Sequence, residues 1–154
     1  MGSESREALE DQGFVATGSI LDRCDAQRLF EAFHSHLGPS PERNDYGILR
    51  NDIWRKIPLF RSKLDCGRLG RLACELLGSP EVILFQDNVI EKPAHHSSEV
   101  QWHQDYAYWP LDRPHGITLW VALSPAGRHS GCLHYLPGTH RQGERQGTDF
   151  MPRT

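Results

Sequence analysis

Two side chains that can ligate a metal ion lie one residue apart in the stretch WHQDYAYWP, which runs from Trp102 to Pro110. In an extended backbone His103 and Asp105 point to the same face, with α-carbons about 6.6 Å apart, because side chains alternate along a strand. A neutral imidazole and a carboxylate can then share one divalent ion such as iron, manganese or zinc and leave other positions open. The alternative is a solvated strand edge, since the H-x-D pattern alone is a weak signal.

The segments on either side of this pair carry the pattern of β-strands. Residues 81–91 are rich in β-branched and aromatic side chains, and residues 117–124 alternate between two faces. A third strand is predicted in GCLHYLPGTH, residues 131–140, which Pro137-Gly138 closes as a pair suited to a type II turn. No helical pattern separates these strands, so an antiparallel barrel or sandwich is favoured over a doubly wound parallel sheet.

The N-terminal half has the pattern of amphipathic helices. Apolar residues recur at helical spacing in LDRCDAQRLFEAFHSHLG, residues 21–38, where Asp22 can cap the start and Gly38 the end. A second helix is predicted in CGRLGRLACELLG, residues 66–78, and Pro58 should interrupt any helix that precedes it. We expect the second helix to cover the sheet.

Composition and charge limit the classes of partner. The chain has 154 residues, the length of one domain, and a formal net charge of -3 from 17 basic and 20 acidic residues. No basic block or acidic tail indicates nucleic acid or anionic lipid, so a small molecule is the expected partner. No apolar run reaches the roughly 18 residues of a membrane span, and the N-terminus has no signal-peptide pattern, so a cytoplasmic protein without membrane contact is predicted.

Three motifs in order add context to the H-x-D pair: KPAHHSSEVQWHQDYAYWP, ITLWVALSPA and GCLHYLPGTHR. With them the chain resembles the phytanoyl-CoA dioxygenase family, strongly over residues 81–142 and by general layout before that. In those iron(II) and 2-oxoglutarate enzymes a W-H-Q-D strand is followed by a strand with an inward Trp and then by a G-C-L-x-x-x-P-G-S/T-H hairpin. The resemblance implies a mainly β (α+β) fold, a partial double-stranded β-helix or cupin-like jelly roll with flanking N-terminal helices.

The resemblance also implies roles for four residues. His103 and Asp105 match two of the three iron ligands. Asn88 matches a strand position that contacts 2-oxoglutarate, and Trp120 matches the Trp that lines the pocket of this cosubstrate. A polar outward residue is the alternative for Asn88, and core packing is the alternative for Trp120. The implied cofactor is Fe(II), with 2-oxoglutarate as cosubstrate and a small-molecule substrate that the sequence does not identify.

The family pattern and this sequence diverge after the hairpin. The third ligand normally lies in an H-G-S or H-G-T motif some tens of residues later, followed by an Arg that pairs with the far carboxylate of 2-oxoglutarate. This sequence ends at Thr154, before either. His140 is a possible substitute ligand and Arg141 or Arg145 a possible anchor, although in the family this His closes the hairpin. We expect residues 1–154 to form a single domain of this type that lacks its C-terminal strands.

The sequence is therefore compatible with two classes of function. The first is an Fe(II)- and 2-oxoglutarate-dependent dioxygenase that hydroxylates a small molecule, present here as an incomplete chain. The second is a non-catalytic jelly-roll module that binds a ligand or a partner. Completeness of the metal site separates the two classes. Without the third ligand and the carboxylate anchor, we expect this chain alone not to couple decarboxylation of 2-oxoglutarate to substrate oxidation.

Overall fold

The computed structural model describes residues 2–38, 47–65, 67–95, 99–112, 115–145 and 147. Within those residues helices predominate, and a single antiparallel pair of strands forms the sheet. In chain order the elements are α1 Gly2–Gln12, α2 Arg23–Leu37, β1 Ile48–Asn51, α3 Ile53–Lys56, α4 Pro58–Asp65, α5 Arg68–Leu77, β2 Asn88–Glu91 and two 3-10 helices, Asp105–Tyr108 and Thr139–Gln142. No helix in these ranges has both the length and the apolar character to cross a bilayer.

Helix α2 begins and ends where the sequence predicts. The Asp22 carboxylate accepts a hydrogen bond from the Asp25 N–H at 2.7 Å, so it satisfies a donor that the first turn leaves unpaired. Gly38 follows the last turn with φ 73°, a conformation that favours glycine. The apolar stripe of the helix buries Leu29 and Phe33 at 3% and 2% exposure. The predicted helix is confirmed.

The second predicted helix is confirmed as α5. Two shorter helices precede it, and Pro58, the first residue of α4, marks the break between α3 and α4. Ile57 lies between α3 and α4 in an extended conformation, because the residue before a proline is disfavoured in a helix. Helix α5 ends at Gly78, whose N–H donates to the Cys74 carbonyl from a left-handed conformation. Its main packing partners are α1 and α4, rather than the two-stranded sheet that we expected it to cover.

The hydrophobic core lies where α2, α3 and the sheet meet. Phe33 from α2, Ile48 from β1 and Ile53 from α3 are each at most 2% exposed, and Val89 of β2 packs against them. Strands β1 and β2 pair in antiparallel register with Ile48 opposite Glu91. Burying each large apolar side chain contributes about 1.5–3 kcal/mol, so this cluster fixes the helical half against the sheet.

The later predicted strands form no ladder among the described residues. Among the described residues, hydrogen-bonded strand pairing is confined to β1 and β2, and residues 117–124 and 131–136 take no part in it. The predicted alternation survives, since Ile117 and Leu119 are less exposed than Thr118. A helical N-terminal part with an antiparallel sheet is present as predicted, but the described residues do not confirm a mainly β fold. The reason is physical: the period-two pattern selects an extended backbone, whereas a ladder also needs partner strands.

The Pro137-Gly138 turn is confirmed and docks on the end of α1. Gly138 has φ 75° and ψ -4°, the third position of a type II turn. Its N–H donates to the Gln12 carbonyl at 2.9 Å. Arg141 then donates to the Glu10 carbonyl at 3.1 Å, so a cation faces the carbonyl end of the helix. Helix α1, which the sequence did not predict, is therefore the support for this turn.

His34 joins the last turn of α2 to β2. Its Nδ1–H donates to the Phe30 carbonyl at 2.9 Å, and its Nε2 lies 3.0 Å from Glu91 Oε2. Because the Phe30 bond uses the Nδ1 proton, Nε2 carries a proton only in the charged imidazolium. The Phe30 carbonyl raises the pKa of His34, and so does the Glu91 carboxylate, although partial burial acts in the opposite direction. Protonation of His34 therefore supplies a donor to Glu91 Oε2, a buried oxygen.

We predict that His34 stabilises the fold more in acid than in alkali. Since its folded pKa lies above the unfolded one, the stabilisation is full below about pH 6.5 and is lost as pH rises through the folded pKa. His34→Gln should cost about 0.5 kcal/mol more at about pH 5.5 than at about pH 8.5, measured by urea unfolding. His36→Gln, on the exposed side of the same turn, is the control. An equal cost at both pH values would contradict the assignment.

Candidate metal centre

The W-H-Q-D segment is extended as far as Gln104 and then turns. Gln104 has φ -110° and ψ 126°, and Asp105 begins a 3-10 helix, so the predicted strand ends before its second candidate ligand. The two side chains still converge, since His103 Nε2 lies 3.2 Å from Asp105 Oδ1. The chain thus brings its two sequence-predicted ligands together, although by a turn instead of by strand alternation alone.

Hydrogen bonds determine where the lone pairs of His103 and Asp105 point. The Gln101 carbonyl accepts from His103 Nδ1–H at 2.8 Å, so the neutral imidazole has its lone pair on Nε2, the atom that faces Asp105. Thr118 Oγ1 donates to Asp105 Oδ2 at 2.6 Å, which leaves Oδ1 directed at the ring. Two atoms that both carry lone pairs repel each other unless a cation lies between them. A proton or a metal ion can be that cation, and metal-binding His residues commonly donate their second N–H to a backbone carbonyl in this way.

The separation of the two atoms fits a shared divalent ion. Ligand atoms about 2.1 Å from a metal lie about 3.0 Å apart at a right angle and about 3.4 Å apart at the tetrahedral angle. The observed 3.2 Å between Nε2 of His103 and Oδ1 of Asp105 falls between these values. The side chains are 27% and 44% exposed, so an ion held by them would have further positions open. Within the described residues no third His, Cys, Asp or Glu completes a cluster with them.

Two tyrosines border the pair. The Tyr108 ring meets His103 edge-on, with centroids 5.9 Å apart, and so limits rotation of the imidazole. Burial raises the pKa of Tyr135, and the negative charge of Asp105 raises it further, so this phenol stays protonated and can donate at neutral pH. Tyr135 also stacks on Phe14, with centroids 4.8 Å apart. The sequence reasoning missed Tyr135, because its proximity to Asp105 depends on a contact between distant segments.

The two residues predicted to contact 2-oxoglutarate lie in different settings. Trp120 is two residues beyond Thr118 on the alternating segment, so it shares the face that reaches Asp105. It is 46% exposed, which does not fit simple core packing. Asn88 begins β2 opposite Asn51 and is exposed. The roles of both stay predictions. The same alternation could have identified Thr118, which the sequence reasoning missed.

The substitute ligand and both possible anchors are engaged elsewhere. His140 Nε2–H donates to the Glu10 carbonyl at 3.1 Å, and its ring covers Gly13, where a β-carbon would collide with it. Arg141 binds the same carbonyl group, at the end of α1. The Arg145 guanidinium donates to Gln142 Oε1, and its backbone N–H donates to Gln104 Oε1 at 2.9 Å. The hypothesis of His140 as the third ligand therefore finds no support in this arrangement.

The comparisons with known proteins decide the family. The family model for phytanoyl-CoA dioxygenase (PhyH) matches residues 10–154. The chain belongs to the phytanoyl-CoA dioxygenase family. The predicted resemblance is thus confirmed, and with it the membership of a family whose fold is the cupin-like jelly roll and whose named members include oxygenases. No solved structure matches the chain.

Curated relatives of the phytanoyl-CoA dioxygenase family match over different lengths. Phytanoyl-CoA dioxygenase domain-containing protein 1 of Mus musculus is 35% identical over 148 residues, which cover 92% of this chain and 49% of that protein. The peroxisomal phytanoyl-CoA dioxygenase of Bos taurus is 27% identical over 169 residues, with 96% and 50% covered. L-proline trans-4-hydroxylase of Streptomyces griseoviridis is 33% identical over 88 residues, with 51% and 32% covered. The chain therefore spans about half the length of the first two relatives.

We predict that manganese(II) binding depends on His103 and Asp105 as a unit. His103→Ala and Asp105→Ala should each weaken binding at least about tenfold, and the double variant little more, because either loss removes the shared site. Titration calorimetry on the metal-free chain measures the affinities. His129→Ala, a substitution at an exposed turn residue, is the matched control. Equal affinity in His103→Ala and the parent would contradict the assignment.

Proposed function

We propose that the chain carries the metal-binding part of an Fe(II)- and 2-oxoglutarate-dependent dioxygenase that hydroxylates a small molecule. The observation that carries the proposal is the arrangement of His103 Nε2 and Asp105 Oδ1 at 3.2 Å with the other atom of each side chain held by a hydrogen bond. A neutral imidazole and a carboxylate with open positions are the donors that non-haem iron(II) oxygenases use. Membership of the family agrees with this chemistry.

The residues around the pair have distinct roles in this proposal. His103 and Asp105 hold the metal, and Thr118 keeps the second carboxylate oxygen of Asp105 from rotating into the ring. Trp120 offers an aromatic wall on the same face for 2-oxoglutarate, and Asn88 offers an amide to it. When bound, iron(II) supplies the redox chemistry by which dioxygen oxidises 2-oxoglutarate to succinate and carbon dioxide and places one oxygen atom in the substrate. The protein supplies orientation.

The substrate class follows from the family only in broad terms. The names of two relatives refer to phytanoyl-CoA and to L-proline, which are chemically unlike. We propose a small organic molecule for this chain without choosing between such classes. The cytoplasmic location that the sequence predicts stays a prediction.

The test of this function is binding of 2-oxoglutarate to the manganese(II)-loaded chain. We expect calorimetry to show binding that requires the metal and is lost in His103→Ala, because the keto acid chelates the ion through its 2-oxo group and adjacent carboxylate. Glutarate, which has the same length but no 2-oxo group, should bind at least about tenfold more weakly. Trp120→Ala should weaken 2-oxoglutarate binding and leave manganese binding unchanged.

Either of two results would contradict the proposal. The first is binding of 2-oxoglutarate that is indifferent to metal, and the second is equal affinity for 2-oxoglutarate and glutarate. Succinate release in air is a separate readout. Within the described residues no third ligand completes the cluster, and Arg141 is engaged by α1, so we expect no turnover coupled to substrate oxidation in this chain alone.

Exposed apolar side chains favour a second candidate function, a non-catalytic module that binds a partner. Ile83 is 95% exposed, and Trp102 and Leu136 are 59% and 52% exposed. Apolar surface of this kind often marks an interaction site. A module that only binds a partner would not bind 2-oxoglutarate in a metal-dependent way, so the calorimetric titrations with 2-oxoglutarate distinguish it from the oxygenase.

A further inference from the structure

The residue between the two candidate ligands makes a pair of hydrogen bonds to a distant segment. Gln104 Nε2–H donates to the Gly143 carbonyl at 3.1 Å, and Gln104 Oε1 accepts from the Arg145 N–H at 2.9 Å. The two segments are separated by about forty residues in sequence. One side-chain amide therefore engages one acceptor and one donor on either side of Glu144.

This pattern of bonds copies the pairing of a parallel β-ladder. In such a ladder a residue on one strand donates to the carbonyl before its partner and accepts from the N–H after it. The primary amide of Gln104 presents the same donor and acceptor as a peptide group. Gln104 is partly buried. The amide thus supplies a strand-like connection at a place where the backbone forms no ladder.

The position of Gln104 relates this connection to the metal pair. Its backbone is extended, so its side chain points to the face opposite to that of His103. The amide can therefore bond to residues 143–145 on the face opposite the metal pair, where it does not compete with His103 and Asp105 for the ion. Residues 99–112 contain no ladder strand, so the backbone that carries both ligands depends on contacts of this kind for a fixed position.

Residues 143–145, to which the Gln104 amide bonds, are themselves held in place. They directly follow the 3-10 helix Thr139–Gln142, and Arg141 of that helix is bound to the Glu10 carbonyl and the Asp11 carboxylate at the end of α1. A continuous series of contacts therefore runs from α1 through the turn to the Gln104 amide. The ligand segment takes its position from the helical half of the molecule through this series.

We propose that Gln104 is a positioning residue whose side-chain amide fixes the backbone between His103 and Asp105 by bonding to Gly143 and Arg145. The inference rests on the proposed metal function of that pair. It predicts that loss of the amide separates the two ligands on average and weakens metal binding, although Gln104 itself does not touch the metal. It also predicts that the Arg145 amide proton loses its protection.

The test measures two quantities on Gln104→Ala and Gln104→Asn. The second variant keeps an amide but is one methylene shorter, so it cannot reach both partners from the same backbone position. Amide hydrogen exchange by NMR should be faster at Arg145 in both variants than in the parent. Manganese(II) affinity, measured by calorimetry, should fall about tenfold, the lower end of the range for residues that orient metal ligands.

Two controls separate positioning from general loss of stability. Gln86→Ala removes an exposed glutamine that lies outside the helices and strands and should change neither quantity. Asp22→Ala removes the cap of α2 and lowers stability, yet it should leave manganese affinity unchanged. Because Gln104→Asn is a polar substitution at a partly exposed site, it keeps the test valid even if Gln104→Ala fails to fold.

The outcomes distinguish this inference from the function on which it rests. Unchanged exchange at Arg145 would overturn the inference whatever the metal result. Faster exchange with unchanged manganese affinity would also overturn it, because Gln104 would then support the fold alone. If His103→Ala binds manganese as tightly as the parent, the proposed metal function fails, whereas the exchange result still reports whether the Gln104 bonds exist.

Discussion

The hydrogen bond from His103 Nδ1 to the Gln101 carbonyl is the constraint on which the candidate site depends. It decides which ring nitrogen keeps the lone pair, and the geometry of the chain directs that nitrogen at Asp105 Oδ1. If the proton were on Nε2 instead, the pair would be an ordinary imidazole–carboxylate hydrogen bond, and that proton would occupy the place of the ion. Thr118 imposes the equivalent constraint on the carboxylate. The local choice of tautomer thus leaves Nε2 able to accept either a proton or a metal ion.

Two kinds of support hold these groups in place. The helical half is a conventional apolar core, in which Phe33, Ile48 and Ile53 exclude water almost completely. In the described part of the segments that carry the candidate site there is no comparable core, and side-chain bonds to backbone groups, such as those of Gln104 and Arg141, hold them. Such bonds are individually weak and directional, so they position groups more effectively than they stabilise a fold.

The sequence predicted the features that arise from local rules. The start and end of α2, the interruption at Pro58 and the turn at Gly138 each follow from the conformational preferences of one or two residues. The H-x-D spacing likewise brought His103 to Asp105, although through a 3-10 turn that a strand pattern does not encode. Family resemblance, not periodicity, supplied the expected iron and 2-oxoglutarate.

Features that depend on distant segments were not predictable. The Tyr135 ring reaches Phe14 across most of the chain, whereas Thr118, 13 residues from Asp105, could have been identified from the alternation of its own segment. The strand pattern of residues 117–124 predicted the two faces of the segment correctly, but pairing requires a neighbouring strand that a single segment cannot specify. Helix α1 was missed because its apolar residues are few, and its position depends on α5 and on the docked turn.

The tautomer of His103 is the most direct test of this account, and nitrogen-15 NMR of its imidazole measures it. At about pH 8 the metal-free chain should show a protonated Nδ1 and an unprotonated Nε2 in His103. Addition of one equivalent of zinc(II), a diamagnetic stand-in for iron(II), should shift the Nε2 resonance and leave Nδ1 protonated. A proton on Nε2 in the metal-free chain, together with an Nε2 resonance that zinc does not move, would contradict the account.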